Sequence, residues 1–159
     1  MILVLLGTQD KPFDRLLKAV VRQIDKGNIK EKVIAQTGCT VFEHQKIKSF
    51  DFVSKEEIEK LIDKSRVIIT HAGVGTITEC IIKGKKVIVV PRLKKYGEHT
   101  NDHQLQITKE FAMKNYVLPL YDIKNLSKVL EKVKVFKPDK YESNNENFKN
   151  RMIEYIDNI

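Results

Sequence analysis

Short apolar runs that alternate with helix-spaced segments limit this chain to very few architectures. Ile2-Leu3-Val4-Leu5-Leu6 is continuously apolar, as a strand buried on both faces must be. Phe13, Leu16, Leu17, Val20, Val21 and Ile24 then mark one face of a helix, with Pro12 suited to its first turn. Lys32 to Gln36 reads as a second strand and Ile47 to Phe52 as a third. Ser54 opens a helix: Glu57, three residues on, completes a capping box, and Ile58, Leu61 and Ile62 supply the apolar face. Val67 to Thr70, Val87 to Val90 and Tyr116 to Leu118 are further strands. Helices are expected after Gly75, from Asp102 to Lys114, and along Leu126, Val129, Leu130 and Val133. Strands joined by helices need crossover connections. The expected fold is therefore α/β, a Rossmann-like parallel sheet with helices on both faces. Ligands of such sheets sit at the carboxyl ends of the strands, so the loops that follow strands are the ones to search.

At 159 residues the chain suits one domain. The body is expected over residues 1–136. A polar linker and an amphipathic C-terminal helix, striped by Phe148, Met152, Tyr155, Ile156 and Ile159, are expected over 137–159. No apolar run approaches the roughly 18–20 residues of a membrane span. The opening run is too short for a signal peptide and has no basic stretch before it, which predicts a cytoplasmic protein. Cys39 and Cys80 form no CxxC pair and read as small reduced core residues. A net charge of +8 suits nucleic acid, an anionic membrane face or phosphorylated substrates. No helix-turn-helix, zinc-finger or aromatic RNA-binding pattern accompanies it, so nucleic acid is not expected. The four histidines show no ligand spacing such as His-Glu-x-x-His, and no metal or cofactor is expected.

The loop richest in chemistry is Thr70-His71-Ala72-Gly73-Val74-Gly75-Thr76-Ile77-Thr78-Glu79, between a buried strand and a helix. Gly73 and Gly75 permit a tight turn and close approach of a ligand. The free N–H groups and positive dipole end of the helix suit a diphosphate, Thr76 adds a hydroxyl, and Glu79 suits a pair of ribose hydroxyls. A second reading is open. Thr76-x-x-Glu79 is itself a capping-box pattern, the glycines could serve only the turn, and His71 could be a hydrogen-bonded strand-end residue. Neither a Walker Gly-Lys-Ser/Thr nor a Gly-x-Gly-x-x-Gly after the first strand is present.

His71-x-Gly73-x-x-Thr76-x-x-Glu79, followed by Asp102-His103-Gln104, resembles the donor signature of GT-B glycosyltransferases, most of all the family 28 C-terminal domain. Leu6-Gly7-Thr8-Gln9 with Pro12-Phe13, Val90-Pro91-Arg92, and Tyr96-Gly97-Glu98-His99 resemble its small one-domain catalytic subunits. These are the PssE type of bacterial exopolysaccharide and capsule synthesis and the subunit of the eukaryotic two-part N-acetylglucosaminyltransferase. The resemblance spans roughly residues 1 to 135. It implies the C-terminal half of a GT-B fold, with Thr8 facing the diphosphate or sugar and Val53 contacting uracil through its backbone. His71 and the amides of Gly73, Val74, Gly75 and Thr76 would hold the diphosphate, Glu79 the ribose, and Asp102 and Gln104 the donor sugar. It further implies inverting transfer from a UDP-sugar to a lipid-linked sugar diphosphate, with a membrane-anchored partner subunit binding that acceptor on the anionic inner face of the membrane. No residue is marked as the base; Glu98 and His99 are the candidates on this chain. The alternative is a non-catalytic UDP-sugar-binding regulatory module on the same fold.

Overall fold

The computed structural model describes residues 1–143. Six strands form one parallel sheet: β1 (Ile2–Leu5), β2 (Val33–Gln36), β3 (Lys48–Phe50), β4 (Val67–His71), β5 (Lys86–Val90) and β6 (Leu118–Pro119). Their order is β3-β2-β1-β4-β5-β6. Alternate residues of each strand serve opposite faces, so a continuous apolar run feeds two cores. In β1, Ile2 and Val4 join one core while Leu3 and Leu5 join the other. Helices α1 (Asp14–Asp25) and α5 (Leu126–Val135) cover the first face through Leu16, Leu17, Val20, Leu126 and Leu130. Helices α2 (Lys55–Lys64), α3 (Val74–Ile82) and α4 (His103–Met113) cover the second through Ile62, Ile77, Cys80, Ile107 and Phe111. The expected two-faced α/β sheet is the one observed.

Strand order reverses at β1 and β4, because the chain winds outward to β3, returns to the centre and then winds the other way. Loops leaving β1 and β4 therefore diverge to opposite faces and leave a crevice at their carboxyl ends.

Three boundaries differ from the sequence reading. Pro12 precedes α1 instead of lying in its first turn, since Phe13 is the N-cap residue, buried and held by its N–H on Thr40 Oγ1 at 3.0 Å. The edge strands β3 and β6 are shorter than expected. Tyr116 still belongs to the exit of α4: Asn115 takes a left-handed conformation and the Tyr116 N–H bonds back to Phe111 O, which leaves only Leu118 and Pro119 to pair with β5. The stretch after α5, expected as a linker, is tied to the body. Asp139 N–H donates to Asn115 O at 3.1 Å, Asn115 Nδ2 donates to Asp139 Oδ1 at 2.9 Å, and Tyr141 meets Tyr116 edge-on. The expected C-terminal helix lies outside the described residues. Among the described residues no helix is long and apolar enough to cross a membrane.

The capping box at α2 is formed: Glu57 N–H donates to Ser54 Oγ and Ser54 N–H to Glu57 Oε2. Ser54→Ala should lower stability by about 1 kcal/mol in denaturant titration, with the slope unchanged.

Candidate functional site

The loops leaving β1, β2, β3, β4 and β5 meet at the carboxyl edge of the sheet, and the residues singled out in the sequence lie there. Helix α3 begins immediately after β4. Its N-cap is Gly73, which has no side chain to cap the helix. Thr76 and Glu79 therefore lie inside the helix, and the capping-box alternative does not form there. The first-turn amides of Val74, Gly75 and Thr76 keep no side-chain partner, so the positive end of the helix dipole faces outward. A Cβ on Gly75 would meet nothing within 4 Å, so the flank of the first turn at Gly75 is open. Glu79, one turn further in, is half-buried, and its Oε1 is buried without a hydrogen-bond partner among the described residues. An unpartnered buried carboxylate oxygen is costly, and a hydroxyl-bearing ligand would relieve it.

The two glycines do not act as expected. Gly73 has a φ of −82° and Gly75 is not in the left-handed region either, so the turn does not need their conformational freedom. Gly73 is required by close approach: a Cβ there would collide with His71 Nε2. The residue that does use a left-handed backbone is Gly7, with φ +79°, and a Cβ on it would come within 2.5 Å of His71 Cε1. The His71 ring is thus held between the loops leaving β1 and β4. Its Nδ1 faces Leu5 O at 3.4 Å and Thr70 Oγ1 at 3.3 Å. Thr70 Oγ1–H already donates to Leu5 O, so both groups present lone pairs to Nδ1, and Nδ1 carries the proton. Burial, then the neighbouring Arg92 charge, push the His71 pKa down to about 4. In the free protein the ring is neutral, with the Nε2 lone pair on the side of Gly73.

The β5–α4 loop forms the other wall. Gln104 is buried, and its Oε1 accepts from Ala72 N–H at 3.1 Å and Arg92 N–H at 2.9 Å. Both donors are backbone groups, so the orientation of the amide is settled and only the Nε2 end remains for a ligand. Asp102 is exposed and does not cap α4; its Oδ1 accepts from Lys94 N–H at 2.9 Å. His99 is half-buried, with Nδ1 accepting from Asn101 N–H at 3.3 Å. Glu98 is buried and takes two hydrogen bonds from Arg15, at 2.7 and 2.9 Å, and one from Leu93 N–H at 3.0 Å. With both oxygens committed, it is poorly placed to accept a proton from an acceptor, unlike the role considered for it from sequence.

Thr8 stands exposed on the β1 loop, beside Gly7. Val53 is half-buried between β3 and the Ser54 cap, its side chain lining a groove with Phe50 and Leu61. Sequence reasoning missed Arg92, which is 1% exposed. Its Nη atoms donate to Leu6 O and Lys11 O at 2.7 Å and to Glu98 O at 3.2 Å, joining the β1 and β5 loops. An arginine closing a buried strand run was the available signal. A hollow of about 870 Å³, lined by Ile82, Lys86, Val135 and Tyr141, lies at the opposite, amino edge of the sheet, away from these groups.

The family model of the glycosyltransferase family 28 C-terminal domain matches residues 1–159. UDP-N-acetylglucosamine transferase subunit ALG13 of Candida albicans is 31% identical over 112 residues, 70% of this chain and 32% of the relative. The chain thus spans about a third of that relative's length. The solution structure of ALG13 matches with a TM-score of 0.58 at 19% identity, covering 93% of this chain and 92% of that one. The glycotransferase of kitacinnamycin matches with a TM-score of 0.64 at 15% identity, covering 84% of this chain and 34% of that one. These likenesses identify the fold as that of the C-terminal, Rossmann-like half of a GT-B glycosyltransferase.

Two outcomes test the clamp on His71. Gly7→Ala forces a side chain onto both a left-handed backbone and the ring, and should cost well over 1 kcal/mol in thermal or chemical unfolding. The His71 ring should titrate near 4 by NMR. An unfolded histidine binds its proton near 6.5, so the unfolded state gains the proton first as pH falls. Stability from this group is intact above about 6.5 and is lost between there and about 4, on the order of 3 kcal/mol in all.

Proposed function

Since the chain belongs to the glycosyltransferase family 28 C-terminal domain family, we propose that it is the donor-binding, catalytic subunit of an inverting UDP-sugar glycosyltransferase. The observation that carries this reading is the pairing of an uncapped helix end with a buried, unpartnered Glu79 oxygen one turn away. A nucleoside diphosphate meets both needs at once. Its phosphates take the amides of Val74, Gly75 and Thr76, and its ribose hydroxyls donate to Glu79.

Uracil would lie by the Val53 backbone, and the sugar would extend toward Thr8, Asp102 and the Nε2 end of Gln104. The acceptor hydroxyl attacks the anomeric carbon, the bond to the diphosphate oxygen breaks, and the charge that develops there is met by the α3 dipole. No metal is assigned to this step. The neutral His71 ring contributes shape and, once an anion raises its proton affinity, an Nε2–H donor. With Glu98 held by Arg15, the base would be His99 or a residue of a partner subunit.

A GT-B reaction takes place between two domains, and this chain spans one of them. A membrane-anchored partner supplying the other, with a lipid-linked sugar diphosphate acceptor, completes the reading. The +8 charge suits work against anionic substrates at an anionic membrane face.

Glu79→Ala should weaken UDP binding about tenfold by calorimetry with the unfolding temperature held, as loss of hydrogen bonds to a charged group predicts. Unchanged UDP affinity would remove the ribose assignment. A thermal-shift panel of UDP-glucose, UDP-galactose, UDP-glucuronic acid and UDP-N-acetylglucosamine should show stabilisation by at least one. No shift with any of them, or with UDP, would sink the donor reading.

A further inference from the structure

The most elaborate polar arrangement in the molecule lies on the irregular segment between β5 and α4, whose one regular element is a 3-10 turn at Lys94–Tyr96. One side chain of α1 reaches this segment at three points. Arg15 Nη2 donates to Pro91 O at 3.3 Å where the loop begins. Its guanidinium lies 4.6 Å from the Tyr96 ring at the middle. Its Nε and Nη2 bind both oxygens of Glu98 beyond the turn. The Glu98 side chain is 4% exposed and that of Arg15 17%, so the pair is screened little by water. Glu98 Oε2 also takes Leu93 N–H, and Glu98 O takes Arg92 Nη1, so the carboxylate and its own backbone both tie the far side of the turn back to the start of the loop.

A buried ion pair is a poor source of net stability, because desolvation offsets the attraction, whereas its geometry can hold a segment to one conformation. Here the segment held is the one that carries His99, next to Glu98, and Asp102, whose Oδ1 closes the loop on Lys94 N–H. The diphosphate side of the crevice is built from β4 and α3 and meets this segment through Gln104, whose Oε1 accepts from Ala72 N–H and Arg92 N–H.

We propose that Arg15 is a positioning residue for donor-sugar recognition, acting through Glu98 to hold the β5–α4 loop in the conformation that meets the sugar. This rests on the donor-binding reading above. Arg15 itself touches no substrate. Its loss is expected to separate two affinities that would otherwise move together: UDP, bound by α3, and the UDP-sugar, bound also by the loop.

The test compares wild type, Arg15→Lys and the double variant Arg15→Gln with Glu98→Gln. The double variant removes both charges of the pair together, so neither Arg15 nor Glu98 is left charged without the other, and Arg92 keeps its backbone carbonyl acceptors, which guards against simple failure to fold. Backbone hydrogen exchange of the full chain should show amides of residues 93–102 exchanging about tenfold faster or more in the double variant, with β1 and β4 amides unchanged. Calorimetry with UDP and with the best-bound UDP-sugar of the panel should show UDP affinity within about twofold of wild type and the preference for the UDP-sugar lost. Arg15→Lys keeps the charge but not the forked geometry and should recover part of both. Unchanged exchange in the loop overturns the proposal. So does an equal fall in both affinities, which would indicate general damage. If wild type binds neither UDP nor UDP-sugar, the donor reading and this role in sugar recognition fall together, while an exchange difference would still show that Arg15 holds the loop.

Discussion

Strands β1 and β4 are covered on both faces, and the placing of every polar group with chemistry follows from that burial. Leu3, Val4, Leu5, Ile68 and Ile69 are wholly or almost wholly inaccessible, so no functional side chain has room along the strands. Their backbones are satisfied in the parallel ladder. Polar chemistry begins only where the ladder ends, at Gly7 and His71. Because the strand order reverses between these two strands, their loops part and leave a crevice. The N-terminal end of α3 lies at this crevice, with no side-chain cap and no acidic residue in its first turn among the described residues.

The crevice is held open by contacts of unusual tightness at its floor and by polar ties at its rim. At the floor the His71 ring fills the gap between two backbones that only glycine can line. At the rim, three side chains join the separate loops. Gln104 bonds the ends of β4 and β5, Arg92 joins the β1 and β5 loops, and Arg15 reaches from α1 to the β5–α4 loop. Each tie is buried or nearly so, where a hydrogen bond to a charged or fully desolvated partner resists exchange with water. The same crowding explains the neutrality of His71. A ring buried between two loops and near the Arg92 charge binds a proton poorly.

Chemistry at such a site depends less on reactive side chains than on the arrangement of dipoles. The groups that would meet a diphosphate are mostly backbone amides, whose positions are set by where β4 stops and α3 starts. Glu79, whose Oε1 has no partner among the described residues, lies on the helix that supplies those amides, so the proposed phosphate and ribose contacts share one rigid element. Recognition of a sugar would fall to the opposite wall, whose conformation depends on buried ion pairing.

Much of this was legible in the amino-acid sequence. Short continuous apolar runs rich in Val and Ile fit strands buried on both faces, and helix spacing between them demands crossovers, so the parallel α/β sheet and its carboxyl-edge crevice were legible in the sequence itself. The Gly73–Glu79 loop was legible because a helix start after a buried strand is a local pattern, whereas Asp102 and Gln104 stood out only through the resemblance to a family signature. What was not legible depended on partners far apart in the chain. Thr76 and Glu79 match a capping box, but the strand runs on to His71 and the helix starts at Val74, so both side chains fall inside it. Gly73 looked like a turn residue, yet the His71 ring is what excludes a side chain there. Glu98 looked like a candidate base until Arg15, 83 positions earlier, was found on both of its oxygens. Local pattern decides which elements form and which loop faces a ligand; only the packed structure decides which polar atoms are already satisfied, because satisfaction is a property of neighbours in space.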